Sequence, residues 1–239
     1  MSIELATSRR VLVTGANRGL GLEFVRQLLA RGDRVIAACR RPAEAETLTA
    51  LAVLHPAALQ VLPLNVVDPS SRAELLATVA RDWGALDLLI NNAAVMSHGE
   101  RFGELDAANF RAAFEANTIA PLLLTEAAAP LLGKGRAPVV AHVSSLLGSI
   151  EATQTFTPAS YSVSKAALNM AAKIAAHPLA ERGIRSVLLH PGWVLTDMGG
   201  PNAPLRAPES VAGMLRVIDD LPPEARGDFL DYTGARLPW

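Results

Sequence analysis

The sequence is poor in the residues that form disulfide frameworks and metal sites. Its 239 residues include one cysteine, Cys39, and five histidines. No cysteine–histidine cluster has the spacing of metal ligands, so we expect no bound metal. A single cysteine cannot form an internal disulfide and is typical of a reducing compartment. These absences exclude a small disulfide-stabilised secreted domain and a zinc-binding module.

An excess of one charge is also missing, and so are long uncharged apolar runs. The 22 lysine and arginine residues balance 23 aspartate and glutamate residues, so nothing indicates nucleic acid as a partner. No run approaches the roughly 18 apolar residues of a membrane span. The opening stretch MSIELATSRR lacks the apolar core of a signal peptide. We therefore expect a soluble cytoplasmic protein that binds neither nucleic acid nor membranes.

What the sequence does contain is a regular alternation of short apolar runs and longer helical patterns. Hydrophobic residues make up 50% of the chain, enough for the core of one large domain. Strands are predicted in RRVLVTG, DRVIAACR, ALQVLPL, ALDLLIN, APVVAHVSS, IRSVLLHPG and GDFLDY, and helices near 19–31, 43–53, 70–82, 104–133, 159–177 and 207–219. This order predicts a single-domain α/β Rossmann fold, a doubly wound, mostly parallel seven-stranded sheet with helices on both faces. Its ligands should bind beyond the C-terminal strand ends.

The first of those loops has the composition of a phosphate-binding turn. The first strand runs into TGANRGLGLEF, which places Gly15, Gly19 and Gly21 at the start of a helix. Glycines let the backbone approach a pyrophosphate, and the helix N-terminus supplies amide hydrogens and a partial positive charge. The spacing is G-x-x-x-G-x-G, not the commoner G-x-G-x-x-G. Since such turns also occur for purely structural reasons, the interpretation depends on its place directly after the first strand.

The second strand indicates which dinucleotide would bind. It ends in AACRRP, with Arg40 and Arg41 where NAD-binding folds usually have an acid for the ribose 2′-hydroxyl, and Arg18 lies in the glycine turn. A guanidinium group suits a 2′-phosphate. Alternatively, Arg40 and Arg41 are solvated surface charges. The missing acid favours NADP(H) over NAD(H).

Six motifs follow one another along the chain and together resemble a known family. They are TGANRGLG, NNAA at 91–94, Asn117, VSS at 143–145, YSVSK at 161–165 and HPGWVLTDMGGPNAP at 190–204. In this order they resemble the short-chain dehydrogenase/reductase family over nearly the whole chain. The HPGWVLTDMGGPNA segment and the ending FLDYTGARLPW are similar to its C-factor-like and Sniffer-like carbonyl reductases. The resemblance implies one domain over 1–239, with a cofactor-binding part at about 9–145 and a substrate lid at about 197–207.

The resemblance also implies a catalytic set of Asn117, Ser145, Tyr161 and Lys165. Tyr161 would protonate a carbonyl oxygen as hydride arrives. Lys165, one helical turn on, would lower the pKa of the tyrosine and bind the nicotinamide ribose. Ser145 would orient the substrate oxygen, although its separation of 16 residues from Tyr161 is longer than in many members. The side-chain amide of Asn117 would hold a water linked to the lysine, or the residue simply caps or interrupts a long helix.

Cofactor-binding residues follow from the same resemblance. Asn91 and Ala93 would line the adenine ribose, and Asn65 stands where relatives commonly have aspartate beside the adenine. Val194 and Thr196 would contact the nicotinamide carboxamide. The full set is Gly15, Asn17, Arg18, Gly19, Leu20, Gly21, Arg40, Asn65, Val66, Asn91, Ala93, Tyr161, Lys165, Pro191, Gly192, Val194 and Thr196.

These residues predict an NADPH-dependent reductase of aldehydes or ketones, or the reverse oxidation of alcohols. Reduction of C=N or C=C bonds stays open, and so does a non-enzymatic NADP(H)-binding signalling or redox-sensing role of the C-factor type. Trp193 either walls the substrate pocket or packs under the lid. The apolar segments APLLLTEAAAPLL and KAALNMAAKIAA cover the sheet or, as in the family, form a homodimer or homotetramer interface.

Overall fold

The predicted strands pair in one sheet in which every neighbouring pair is parallel. A computed structural model describes residues 8–239, and its seven strands follow the order β3-β2-β1-β4-β5-β6-β7. They are β1 (Arg10–Thr14), β2 (Arg34–Cys39), β3 (Leu59–Pro63), β4 (Leu88–Asn91), β5 (Val139–Val143), β6 (Arg185–His190) and β7 (Arg226–Asp231). The predicted fold class is confirmed, and the sheet is fully rather than mostly parallel.

Helices connect these strands on both faces of the sheet. They are α1 (Gly19–Ala30), α2 (Glu46–Leu54), α3 (Pro69–Trp83), α4 (Ala107–Phe114), α5 (Ala120–Leu132), α6 (Ala159–Ala180) and α7 (Ala207–Asp219). Within residues 8–239, no helix has both the length and the apolar composition that a bilayer span requires.

The single helix predicted over 104–133 is corrected by the structure. Residues Glu115–Ile119 form a π-helical turn between α4 and α5, and Asn117 lies at its centre. A π turn widens the helix by one residue, and such turns are frequent at functional sites. Here the turn coincides with hydrogen bonds from the Asn117 side chain to Val95, outside the helix.

Side chains that alternate in direction along each strand pack into two layers of the core, one on each face of the sheet. Val11 and Val13 of β1 pack with α1 and α7 on one face, whereas Leu12 packs with α3 and α5 on the other. All three side chains are fully buried. Successive strand residues point to opposite faces, so helices on both sides give continuously apolar strands. Each such buried aliphatic side chain contributes about 1.5–3 kcal/mol relative to exposure.

The strand order reverses beside β1, and this reversal creates the site. The chain moves from β1 outward to β3 and then returns to β4 on the other side of β1. The loops after β1 and β4 therefore diverge, leaving a crevice at the C-terminal strand ends.

Candidate active site

A cavity of about 750 Å³ opens at the C-terminal ends of the strands, as the topology predicts. Most of the residues proposed from the sequence share its lining. They are Gly15, Asn17, Arg18, Gly19, Leu20, Arg40, Asn65, Val66, Ala93, Ser145, Tyr161, Lys165, Pro191, Gly192, Val194 and Thr196. Gly21, Asn91 and Asn117 lie outside the lining, although Gly21 packs against Gly15 and Asn117 bonds Val95, which both line it.

The glycine turn is shaped by close backbone contacts. Gly15 has a φ of +64°, and a Cβ placed on it would lie 2.9 Å from the Cα of Ala93. A Cβ on Gly21 would collide with the carbonyl oxygen of Gly15. Helix α1 then begins at Gly19 with no side-chain cap and no acid in its first turn. Its first amide groups and the positive end of its dipole are therefore available to an anion.

The three arginines near the groove differ in what they pair with. Arg41 forms an ion pair with Glu44 at 2.9 Å, and Arg18 forms one with Asp197 at 2.7 Å. Arg40 is exposed and lines the cavity, and within residues 8–239 no acid pairs with it. Both partners of the Arg18–Asp197 pair are mostly exposed, so the pair is weak and exchangeable. Arg40 is thus the cation most ready to receive a phosphate.

The side chains of the two asparagines at the end of β4 point in opposite directions, whereas the sequence predicts that Asn91 lines the adenine ribose. The Asn91 side chain is buried and donates to Thr125 Oγ1 at 3.0 Å, so it is directed into the interior. Asn92 lines the cavity and donates to the carbonyl oxygen of Thr14 at 2.9 Å. Successive strand residues face opposite ways, so the side chain of Asn92 and not that of Asn91 faces the cavity. A contact of Asn91 with the adenine ribose stays a prediction. Ala93 lines the cavity as expected.

Ser145, Tyr161 and Lys165 form one wall of the cavity. Tyr161 and Lys165 lie one turn apart near the start of α6 and are 8% and 2% exposed. Lys165 Nζ donates to the carbonyl oxygen of Val143 at 2.8 Å and lies 5.6 Å from the centre of the Tyr161 ring. Ser144 donates to Asn169 Oδ1 at 2.6 Å, which leaves Ser145 as the hydroxyl beside the phenol.

Burial determines the protonation states of Tyr161 and Lys165. Burial raises the pKa of Tyr161 to about 12, and a hydrogen bond with Ser145 only partly offsets this. Burial also lowers the pKa of Lys165 to about 7. The neutral form of each group is favoured because a charge is costly in an apolar environment. Burial thus outweighs the lowering of the tyrosine pKa that the sequence analysis expects from Lys165, and the phenol carries its proton at neutral pH.

The Asn117 side chain connects the loop that follows β4, through Val95, to Ser164 of α6. Its Oδ1 accepts from the amide of Val95 and its Nδ2 donates to the carbonyl oxygen of Val95, both at 2.8 Å. Nδ2 also donates to Ser164 Oγ at 3.0 Å. Both amide hydrogens are therefore used within the protein. A bound water could reach this amide only through the second lone pair of Oδ1, so the proposed water-holding role stays a prediction.

Of the two positions left open for Trp193, the structure places it in the wall of the cavity, with 57% of the residue exposed. Its Nε1 donates to the carbonyl oxygen of Gly199, in the segment after β6, at 2.7 Å. The segment from Leu195 to Leu205 forms a closed loop, because the Leu195 amide donates to the Leu205 carbonyl oxygen at 2.8 Å. The rest of this end of the cavity is mainly apolar and includes residues the sequence did not single out, namely Val95, Met96, His98, Leu147, Pro158 and Met198.

His142 is buried in β5 and does not line the cavity. Its Nδ1 is 3.3 Å from Asn91 Nδ2. Burial, together with the charge of Lys165, lowers the pKa of His142 to about 4. The imidazole is therefore neutral at physiological pH, as expected for a histidine in the core.

Comparison with known proteins agrees with this geometry. A family model described as short chain dehydrogenase matches residues 9–205. The NADPH-bound carbonyl reductase from chicken fatty liver has a TM-score of 0.92 and 40% identity, with 97% of this chain and 99% of that chain covered. The carbonyl reductase Sniffer of D. melanogaster has a TM-score of 0.92 and 32% identity, with 97% and 100% covered. The C-signal of Myxococcus xanthus is 49% identical over 156 residues, which are 65% of this chain and 94% of that protein. The chain belongs to the short-chain dehydrogenase family, in the branch that includes Sniffer-like carbonyl reductases and the C-signal.

Proposed function

We propose that the protein is an NADPH-dependent oxidoreductase that reduces the carbonyl group of aldehydes or ketones to an alcohol, in a reversible reaction. One observation carries this proposal. A single cavity joins the glycine turn and Arg40 to the wall of Ser145, Tyr161 and Lys165. Phosphate recognition and proton donation are therefore within reach of one bound cofactor and one substrate.

The residues present fit NADP(H). The uncapped start of α1 suits the pyrophosphate, and Arg40 has the charge and hydrogen-bond donors that a 2′-phosphate requires. The similar carbonyl reductase from chicken fatty liver was solved with NADPH bound. When bound, NADPH supplies the hydride that reduces the carbonyl carbon. The proposal places this reaction in the cytoplasm, where the single buried thiol of Cys39 stays reduced.

The protein's own residues then supply the proton and its orientation. Ser145 donates a hydrogen bond to the carbonyl oxygen, and the phenol of Tyr161 transfers its proton to that oxygen as the carbon gains hydride. Charge left on the phenolate is stabilised by the ammonium of Lys165, which returns a proton to it. A lysine with a pKa of about 7 can both give and regain a proton near neutral pH. Asn117 keeps the adjoining loop fixed at Val95.

The test is NADPH consumption with a panel of aromatic, aliphatic and dicarbonyl substrates, with NADH measured in parallel. We expect turnover with NADPH on several carbonyls and a much lower kcat/KM with NADH. A preference for NADH would refute the role of Arg40. NADPH binding without turnover on any substrate of the panel would refute the reductase proposal.

Similarity to the C-signal supports a second function, an NADP(H)-binding signalling protein that needs little turnover. The Tyr161→Phe variant separates the two because it removes only the phenolic hydroxyl. A reductase loses turnover in this variant while it keeps cofactor binding. If a cellular effect of the protein survives in the variant, that effect does not depend on reduction, and the signalling function gains.

We also propose that the protein forms a homodimer through the outer face of α5 and α6. This face exposes a group of apolar side chains that residues 8–239 leave uncovered. They are Leu123 of α5, Val163, Met170 and Ile174 of α6, and Ile119 in the π turn directly before α5, and they are 38–63% exposed. A second copy can cover them in an isologous contact, in which the same face is used by both subunits.

A further inference from the structure

The first turn of α6, which carries Tyr161, has no cap from its own sequence. The N-cap residue is Pro158, whose side chain has no hydrogen-bond acceptor. The first hydrogen bond within the helix runs from Ser162 N to the carbonyl oxygen of Pro158. The amide hydrogens of Ala159, Ser160 and Tyr161 therefore have no partner inside the helix. A catalytic tyrosine in an uncapped first turn needs support from another segment.

Glu100 supplies that support from a segment 60 residues earlier in the chain. Its Oε2 accepts a hydrogen bond from the amide of Ser160 at 2.9 Å. A carboxylate at this position makes a charge-assisted bond and complements the helix dipole. Its Oε1 and the hydroxyl of Ser160 are both buried, and neither has a partner within residues 8–239. The same carboxylate therefore has acceptor capacity for a second bond to this turn.

Glu100 belongs to the substrate-side loop, residues 92–106, which follows β4. Met96 and His98 of this loop line the cavity. A second contact joins the loop to the segment before α6, since the ring of Phe102 meets the ring of Phe156 edge-on at 6.3 Å between centroids. The wall against which a substrate would rest is thus connected to the helix turn that holds the proton donor.

We propose that Glu100 is a positioning residue for Tyr161, a role that rests on the proposed reductase function. The carboxylate holds the first turn of α6 in helical geometry and keeps the substrate-side loop against it. Tyr161 then presents its hydroxyl at a fixed distance from Ser145. Without this contact the first turn frays, and the phenol spends less time in the reactive position.

The test compares Glu100→Ala with Glu100→Gln, which keeps an acceptor oxygen, and with Glu104→Ala, a control at an exposed residue of the same loop. In Glu100→Ala we expect kcat for carbonyl reduction to fall about tenfold, as for a lost helix cap. The KM for NADPH should stay within about twofold because the cofactor loops are untouched. Glu100→Gln should recover most of the loss, and Glu104→Ala should match the wild type.

Hydrogen exchange at the start of α6 supplies a readout that does not depend on turnover. Faster exchange at the amides of Ser160 and Ser162 in Glu100→Ala, with the rest of α6 unchanged, supports the proposal. Unchanged kcat and unchanged exchange would overturn it, and so would an equal loss of kcat in Glu100→Gln with uniformly faster exchange. If the wild type reduces no carbonyl, the reductase function fails, while the exchange data still decide whether Glu100 caps this turn.

Discussion

At the residue scale, we expect the choice between NADPH and NADH to depend on Arg40. Its neighbour Arg41 is held by Glu44, whereas Arg40 faces the cavity with no acid paired to it within residues 8–239. We expect Arg40→Ala to raise the KM for NADPH about tenfold, because a charge-assisted hydrogen bond contributes about 1.5–3 kcal/mol. The KM for NADH, which has no 2′-phosphate, should change less than about twofold.

Steady-state kinetics with both cofactors check this prediction, and Arg41→Ala is the matched control. Arg41→Ala removes the same charge one residue away, outside the cavity lining. If both variants change the KM for NADPH equally, only the general positive charge of the strand end matters. An unchanged KM for NADPH in Arg40→Ala would contradict the assignment.

Site residues can be predicted from the sequence when they belong to a short, recognisable motif. Tyr161 and Lys165 are one helical turn apart, and the glycines of the first turn follow a strand, so both sites are visible in short stretches. Asn91 and Asn92 are identical neighbours, and only the direction of the side chain at the strand end separates their roles. Glu100 meets α6 only through the fold, since no local pattern links it to a residue 60 positions away.

Among the elements, β1 and β4 are joined at their N-terminal ends by the buried side chain of Asp87. Its carboxylate accepts from the Arg10 amide at 2.8 Å, from the Arg10 guanidinium at 2.8 and 2.9 Å, and from the Arg136 amide at 2.6 Å. Burial alone would raise the pKa of Asp87, but these hydrogen bonds and the charge of Arg10 lower it from 3.8 to about 2. The ionised carboxylate therefore stabilises the folded protein.

We expect Asp87→Asn to lower the free energy of unfolding at neutral pH by at most about 2 kcal/mol from the lost ionic contribution. The folded-state pKa lies below the unfolded one, so this stabilisation is present above about pH 4 and is lost as the pH falls towards 2. Denaturant unfolding across this range should show the difference between wild type and variant narrowing as the pH falls.

Asp82→Asn is the control for this measurement. Asp82 pairs with the exposed Arg81 on the surface of α3, where an ion pair contributes little. The Asp82→Asn substitution should therefore leave the unfolding midpoint nearly unchanged. A difference between wild type and Asp87→Asn that stays constant or widens towards low pH would contradict the role given to the ionised carboxylate.

Strands and helices are predictable here because parallel strands covered on both faces are continuously apolar. The break between α4 and α5 is different. Residues Glu115–Ile119 have the composition of an ordinary helix, and the π turn coincides with the contact of Asn117 with Val95. A helical pattern cannot show a contact between segments that only the folded chain brings together.

For the whole molecule, the uncovered apolar face of α5 and α6 predicts a dimer. Light scattering after size-exclusion chromatography should give twice the chain mass of 25.2 kDa. The double variant Met170→Glu and Ile174→Glu should be monomeric, because each subunit would bury two charges against their symmetry mates. Val53→Glu with Leu54→Glu, at exposed apolar residues of α2, is the control and should leave the mass unchanged. A monomeric wild type at micromolar concentration would contradict the proposed interface.

The most direct test of the reductase function is to follow the transferred hydrogen itself. NADPH carrying deuterium at both C4 positions of the nicotinamide is incubated with a carbonyl substrate and either wild-type protein or Tyr161→Phe, and the alcohol is analysed by mass spectrometry. We expect wild-type protein to place one deuterium on the former carbonyl carbon. Tyr161→Phe should bind NADPH with similar affinity and form product at least about 100-fold more slowly, since it lacks the proton donor. An alcohol without deuterium, or undiminished turnover in Tyr161→Phe, would contradict hydride transfer coupled to proton donation by Tyr161.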